Sequence, residues 1–140
     1  MMIAIRYDSK TGNTKKLAQA MGETLHVPAL TVDQPLTEHV DLLFLGSSVY
    51  AAGASAEVKQ FIAGLDKGIV DRVACFSTAA LLPSTYGQVS RLLRQRGIPV
   101  DSREFHCRGQ YHMLHKGKPD NTDLDSVRRF AKELAGEKHD

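Results

Sequence analysis

The sequence predicts a doubly wound α/β fold: a five-stranded parallel sheet of order 2-1-3-4-5, in three layers with helices on both faces. Three observations carry this expectation. Strand-like and helix-like stretches alternate along the chain. Two apolar runs, Asp41-Leu42-Leu43-Phe44-Leu45-Gly46 and Val73-Ala74-Cys75-Phe76, show no polar alternation, as strands covered on both faces do. A polar turn, Tyr7-Asp8-Ser9-Lys10-Thr11-Gly12-Asn13-Thr14-Lys15, joins the first apolar run directly to a helical pattern. Such a turn gathers hydroxyls, backbone N–H groups and the positive end of a helix dipole around one point, where a dianionic phosphate can sit.

Strand 1 is read as Met2 to Tyr7, and helix 1 as Asn13 to Leu25, with Leu17, Ala18, Met21 and Leu25 on its apolar side. Val27 to Thr31 is a short strand, and Pro28, which cannot donate to a ladder, places it at an edge. A loop containing Pro35 leads to strand 3 at 41–46, which opens into small residues from Ser47 to Ser55. Helix 2 is capped by Ser55 and buries Val58, Phe61, Ile62 and Leu65. Strand 4 spans Val73 to Phe76 and ends in Ser77-Thr78-Ala79-Ala80. Helix 3 is capped by Ser84, buries Val89, Leu92 and Leu93, and is closed by Gly97. Strand 5, Val100 to Cys107, alternates with Asp101, Arg103 and Glu104, which reads as an exposed second edge. A polar loop, Arg108 to Asn121, precedes helix 4, which starts near Thr122 with Asp123 and Asp125 in its first turn. It buries Leu124, Val127, Ala131 and Leu134, and Glu137 to Asp140 is a frayed tail. In the order 2-1-3-4-5 the switch point lies between strands 1 and 3, so the loops after Tyr7 and Gly46 face each other across one crevice, with the loop after Phe76 beside them.

Composition narrows the function. A chain of 140 residues, 42% hydrophobic and 24% charged, reads as one ordinary globular domain, residues 1–140. No apolar run has the length of a membrane span, and no basic segment with an apolar signal core opens the chain, so a cytoplasmic location is expected. Eighteen basic against sixteen acidic residues leave +2, too small a surplus to imply nucleic acid. Cys75 and Cys107 are expected reduced and buried. His106, Cys107, His112 and His115 do not make a metal site, because His106 and Cys107 point to opposite faces of a strand. A phospho-receiver shares the topology but needs an aspartate at the end of strand 3, where Gly46 and Ser47 stand.

Ser9-Lys10-Thr11-Gly12-Asn13-Thr14 resembles the phosphate loop of the flavodoxins, hydroxyl-x-Thr-Gly-Asn-Thr, at every defined position and directly after the first strand. The resemblance implies a flavodoxin-like fold and a non-covalent FMN. It places the phosphate on the hydroxyls of Ser9, Thr11 and Thr14, the Asn13 side chain, and the N–H groups from Lys10 through Gly12 to Lys15, with Lys10 and Lys15 turned to solvent. The same resemblance gives the flavin ring to the loop after strand 3, namely Ser48, Val49, Tyr50, Ala51 and Gly53, with Tyr50 stacking. A backbone carbonyl from Ala51, Ala52 or Gly53 would face the flavin N5, and Ser77, Thr78, Ala79 and Ala80 would meet the pyrimidine edge.

Two features depart from the family. The chain has no Trp, and the aromatic nearest the loop after strand 4, Tyr86, falls inside helix 3; if it is too far along, the outer flavin face is left to Leu81, Leu82 or His112, or to solvent. Its pI near 8.6 contrasts with the acidic character usual in flavodoxins, and implies a different partner surface. The stretch Phe105 to Gln110, followed by Lys116-Gly117-Lys118-Pro119, resembles a subgroup of small flavodoxin-domain proteins. The function implied is that of a monomeric electron carrier between a reductase and an acceptor enzyme. One alternative is an FMN-dependent oxidoreductase of the quinone or protoporphyrinogen type, with a substrate pocket from the Arg108 to Asn121 loop. A flavin-free binding module is another.

Overall fold

In the computed structural model, residues 1–49, 53–79, 84–110 and 115–136 are described, with the side chain of Val49 set aside. The elements are β1 (Ile3–Tyr7), α1 (Asn13–Leu25), β2 (Ala29–Thr31), β3 (Val40–Val49), α2 (Ala56–Ala63), β4 (Val70–Ala79), α3 (Tyr86–Gln95), β5 (Val100–Arg108) and α4 (Asn121–Ala135). The five strands form one parallel sheet of order β2-β1-β3-β4-β5.

The central strands read as unbroken apolar runs because successive residues serve two cores. Leu42 and Phe44 of β3, with Ala74 and Phe76 of β4, pack under Leu17, Ala18 and Met21 of α1 and Val127, Ala131 and Leu134 of α4. Leu43 and Leu45, with Val73 and Cys75, pack under Val58, Phe61 and Ile62 of α2 and Val89 and Leu93 of α3. Strand geometry sends alternate side chains to opposite faces, so a sheet with helices on both sides wants apolar residues at every position. Phe130 of α4 closes the first core edge-on to Phe44, with ring centroids 6.1 Å apart.

β3 and β4 are longer than their apolar runs suggest. Pairing continues through Ser47↔Ser77, Ser48↔Thr78 and Val49↔Ala79, so these residues belong to the sheet rather than to loops. A parallel ladder is made by backbone groups and extends through small polar residues where their hydroxyls find partners. Gly46 permits this close approach: a Cβ there would collide with the ring of Phe76, which is 1% exposed and cannot swing away. Gly46→Ala is therefore expected to lower stability by about 2 kcal/mol, read as a lower urea midpoint with an unchanged slope.

Several ends differ from expectation. The N-cap of α3 is Thr85, while the Ser84 hydroxyl accepts the Tyr86 N–H at 3.1 Å. α4 begins at Asn121 behind a reciprocal capping box between Asp120 and Asp123, and Asp123 is the one acid in its first turn. β5 is an edge, yet Asp101 on it is buried, because Arg72 of β4 and Arg103 both hydrogen-bond its carboxylate. Cys75 is buried, but Cys107 is only half-buried on this edge strand; both are free thiols, and desolvation raises each to about 12. No described helix is long and apolar enough to cross a membrane.

Candidate functional site

The carboxyl ends of β1, β3 and β4 meet at one edge of the sheet. β1 ends at Tyr7, and the next amide, of Asp8, donates to the Gly46 carbonyl of β3 at 3.1 Å. The chain then turns through Ser9, whose Oγ accepts the Gly12 N–H at 3.1 Å. Gly12 is the N-cap of α1 at φ 90, a left-handed conformation that costs glycine little. Having no side chain, it leaves the first amides of α1 without a cap, and the first turn holds no acidic residue. α2 and α4, by contrast, are capped by Ser55 and Asp120. A helix start that is uncapped and free of acid favours an external anion.

Thr14 is fully buried. Its Oγ1 lies 2.7 Å from Ser48 Oγ and 2.9 Å from Thr78 Oγ1. Ser48 also donates to the Asp8 carbonyl at 3.4 Å. Each hydroxyl has one proton, so a single direction satisfies all three: Thr78 donates to Thr14, Thr14 to Ser48, and Ser48 to Asp8. This chain stitches the first turn to the ends of β3 and β4. The Thr14 hydroxyl thus faces inward, and what Thr14 presents at the helix start is its backbone N–H.

Asn13 is 8% exposed, and its Nδ2 donates to the Gln110 carbonyl at 2.9 Å, across 97 residues of sequence. Gly109 lies so close that a Cβ there would stand 2.6 Å from Asn13 Nδ2. Gln110 in turn accepts the Gly117 N–H at Oε1 and donates its own N–H to Lys118. The segment after β5 is thereby pinned beside the first turn. Nothing in local sequence pattern marks Gly109 and Gln110 as its partners.

Lys10 is exposed but does not simply extend into solvent: its Nζ pairs with Glu57 of α2 at 2.9 Å and holds the Glu57 carboxyl below its ordinary range. With both side chains about half exposed, that pair adds little stability. Lys15 and Thr11 are exposed. Ser47 Oγ meets Thr85 Oγ1 at 2.5 Å, tying β3 to the start of α3. Ser77 Oγ is buried and has no hydrogen-bond partner among the described residues. Gly53 sits at φ 91, and the neighbouring Ala54 N–H is held by Gln88 Oε1 at 2.7 Å. Tyr50, Ala51, Ala52, Ala80, Leu81, Leu82 and His112 lie outside the described residues. The Tyr86 hydroxyl donates to the Asp101 carbonyl at 3.1 Å, which commits that ring to β5.

The residues present fit the phosphate end of FMN. The turn offers neutral hydroxyls and uncapped amides, no carboxylate stands in the first turn of α1, and the edge is lined by small residues from three strands.

The Flavodoxin domain family matches residues 4–113 of the chain. Among solved structures, a flavodoxin from the domain Archaea superposes with a TM-score of 0.78 at 19% identity, covering 97% of each chain. Oxidised flavodoxin 2 from Bacillus cereus follows at 0.73 and 19%, covering 97% of this chain and 99% of its own. The rubredoxin oxygen:oxidoreductase of Desulfovibrio gigas gives 0.73 at 16% over 96% of this chain, but only 35% of that larger protein. No curated protein sequence matches significantly.

Proposed function

The chain belongs to the flavodoxin family, an FMN-binding family, and from that premise we propose that it is an electron carrier passing electrons from a reductase to an acceptor enzyme. The observation that carries the reading is the hydroxyl chain Thr78–Thr14–Ser48–Asp8, which locks the first turn, β3 and β4 into one preformed cradle with uncapped amides at its floor. When bound, FMN supplies one- and two-electron redox chemistry.

The protein's part is to hold and tune it. In this reading the Ser9 and Thr11 hydroxyls and the N–H groups from Lys10 to Lys15 hold the phosphate. Ser48, Val49, Tyr50, Ala51 and Gly53 border the ring on one side; Ser77, Thr78 and Ala79 border it on the other. The buried, unpartnered Ser77 hydroxyl is suited to a polar edge. Asn13 acts by fixing the turn to Gln110. Asn13→Ala is expected to weaken FMN binding about tenfold, the scale of one lost buried hydrogen bond. It should also speed amide hydrogen exchange at Gln110 and Gly117.

The purified protein should titrate FMN to one equivalent by fluorescence quenching, and riboflavin about 100-fold more weakly because it lacks the charged phosphate. The loaded protein should then be reduced by an NAD(P)H-dependent flavoprotein reductase and reoxidised by a haem protein, with no steady turnover of a quinone or porphyrinogen on its own. Failure to take up FMN would leave a flavin-free module, and unaided quinone or porphyrinogen turnover would make the protein an enzyme.

A further inference from the structure

A cavity of about 610 Å³ lies on the other side of the first turn, between the segment after β2 and helix α2. Its walls are apolar: Val32 and Leu36 from the segment after β2, and Phe61, Leu65 and Ile69 from α2 and the turn beyond. Four carboxylates, Asp8, Asp33, Glu57 and Asp66, also line it, and among the described residues no Lys, Arg or His does, in a chain whose net charge is +2. Lys10 neutralises Glu57 from outside the lining. The Asp33 carboxylate accepts from the Thr31 hydroxyl. Asp8 Oδ2 is buried with no hydrogen-bond partner among the described residues.

The cavity is held open by the fold. Arg6 is 8% exposed and turns beneath the segment after β2, donating from Nε to the Gln34 carbonyl at 2.8 Å and from Nη2 to the Pro35 carbonyl at 3.4 Å. Its guanidinium is thus hydrogen-bonded to backbone carbonyls below the wall and is not part of the lining. On the other side the wall is the first two turns of α2 and the turn that follows, anchored by Phe61 and Leu65 in the core. A pocket of this size, lined mainly by apolar surface with a few polar groups among it, is the usual form of a small-molecule site.

We propose that this cavity binds a small organic cation: a primary ammonium group carried on a hydrocarbon body. The carboxylates select the charge, and the partly exposed Val32, Leu36 and Ile69 surface takes up the body. An anion is repelled by Asp8, Asp33 and Asp66, and a neutral analogue forgoes their attraction. The site meets the phosphate turn at Asp8 and through the Lys10–Glu57 pair, but none of its lining residues is assigned to FMN, so it does not depend on the FMN reading.

The test uses the full chain, isotope-labelled, with 2-phenylethylammonium as the probe and 2-phenylethanol and 3-phenylpropionate as matched controls. The cation should shift the amides of residues 32–36 and 60–66, the alcohol should bind at least about fivefold more weakly, and the carboxylate should not bind. The double variant Asp33→Asn/Asp66→Asn should weaken the cation about tenfold while its FMN affinity stays at the wild-type value. Raising salt from about 0.05 M to about 0.5 M should weaken the cation in the wild-type protein as well, since these charges are reached by solvent. Equal binding of all three probes would overturn the proposal. So would shifts confined to other residues, or a folded double variant that binds the cation as tightly as the wild type.

Discussion

Thr11→Glu is expected to weaken FMN binding by about 100-fold or more while leaving the apoprotein as stable as before, or slightly more so. Thr11 is exposed and immediately precedes Gly12, the uncapped start of α1. A carboxylate there faces the position proposed for a phosphate dianion. At an effective dielectric of about 20 and a separation near 5 Å, each pair of unit charges repels by about 3 kcal/mol, which is about 100-fold in affinity. The same carboxylate lies at the positive end of the α1 dipole, which favours it by about 0.5 kcal/mol when no phosphate is bound. Fluorescence titration with FMN and thermal unfolding of the flavin-free protein read the two effects separately. Thr11→Gln, similar in size but neutral, should retain most of the affinity. Unaltered FMN binding by Thr11→Glu would place the phosphate elsewhere.

Asp101→Ala is expected to cost about 3 kcal/mol of stability, read by urea unfolding. The Asp101 side chain is 7% exposed. Its Oδ1 accepts from Arg103 N at 2.9 Å and Nε at 3.0 Å, and its Oδ2 accepts from Arg103 Nη2 at 2.9 Å and from Arg72 Nη1. Arg72, only 11% exposed, also donates to the Leu134 carbonyl at 3.2 Å, so the cluster joins β4, β5 and the end of α4. Removing the carboxylate takes from the buried Arg72 and from Arg103 the charge that both of them hydrogen-bond.

The same cluster sets a dependence on acid. Burial alone would raise the Asp101 carboxyl, but the Arg103 side chain, the Arg103 backbone N–H and Arg72 outweigh it and hold the pKa at about 2. Because the folded value lies below the unfolded one of about 3.9, the contribution is complete above about pH 4 and lost as pH falls through about 2. Its size is about 2 kcal/mol, since each tenfold change in proton affinity is worth about 1.4 kcal/mol. The stability gap between the wild type and Asp101→Asn should therefore narrow from pH 5 to pH 2. A constant gap would show that Asp101 keeps an ordinary pKa in the fold.

The order of elements could be read along the chain because each depends on local pattern. Unbroken apolar runs mark doubly covered strands, Pro28 marks an edge, and the Ser9 to Thr14 turn stands between strand and helix. The polar extensions of β3 and β4 were hidden because Ser47, Ser48 and Thr78 look like loop residues until their hydroxyls meet partners, and Ser77 until the ladder pairs it with Ser47. Asp101 looked like a solvent-facing residue because the charge that buries it, Arg72, lies in another strand. The inward turn of Thr14 depends on Ser48 and Thr78, 34 and 64 residues away, and the role of Asn13 depends on Gln110, 97 residues away.

What the sequence determined by itself was the frame: a parallel sheet of order 2-1-3-4-5, the family, and a polar turn at its switch point. Periodicity and turn chemistry act over a few residues and are written in consecutive letters. Only the tertiary structure decided which side chains the turn keeps for its own cohesion, which charge is buried, and that an acidic, apolar-walled cavity lies behind it. Those outcomes depend on hydrogen bonds, burial and charge between residues tens of positions apart, and these exist only once the sheet has brought them together.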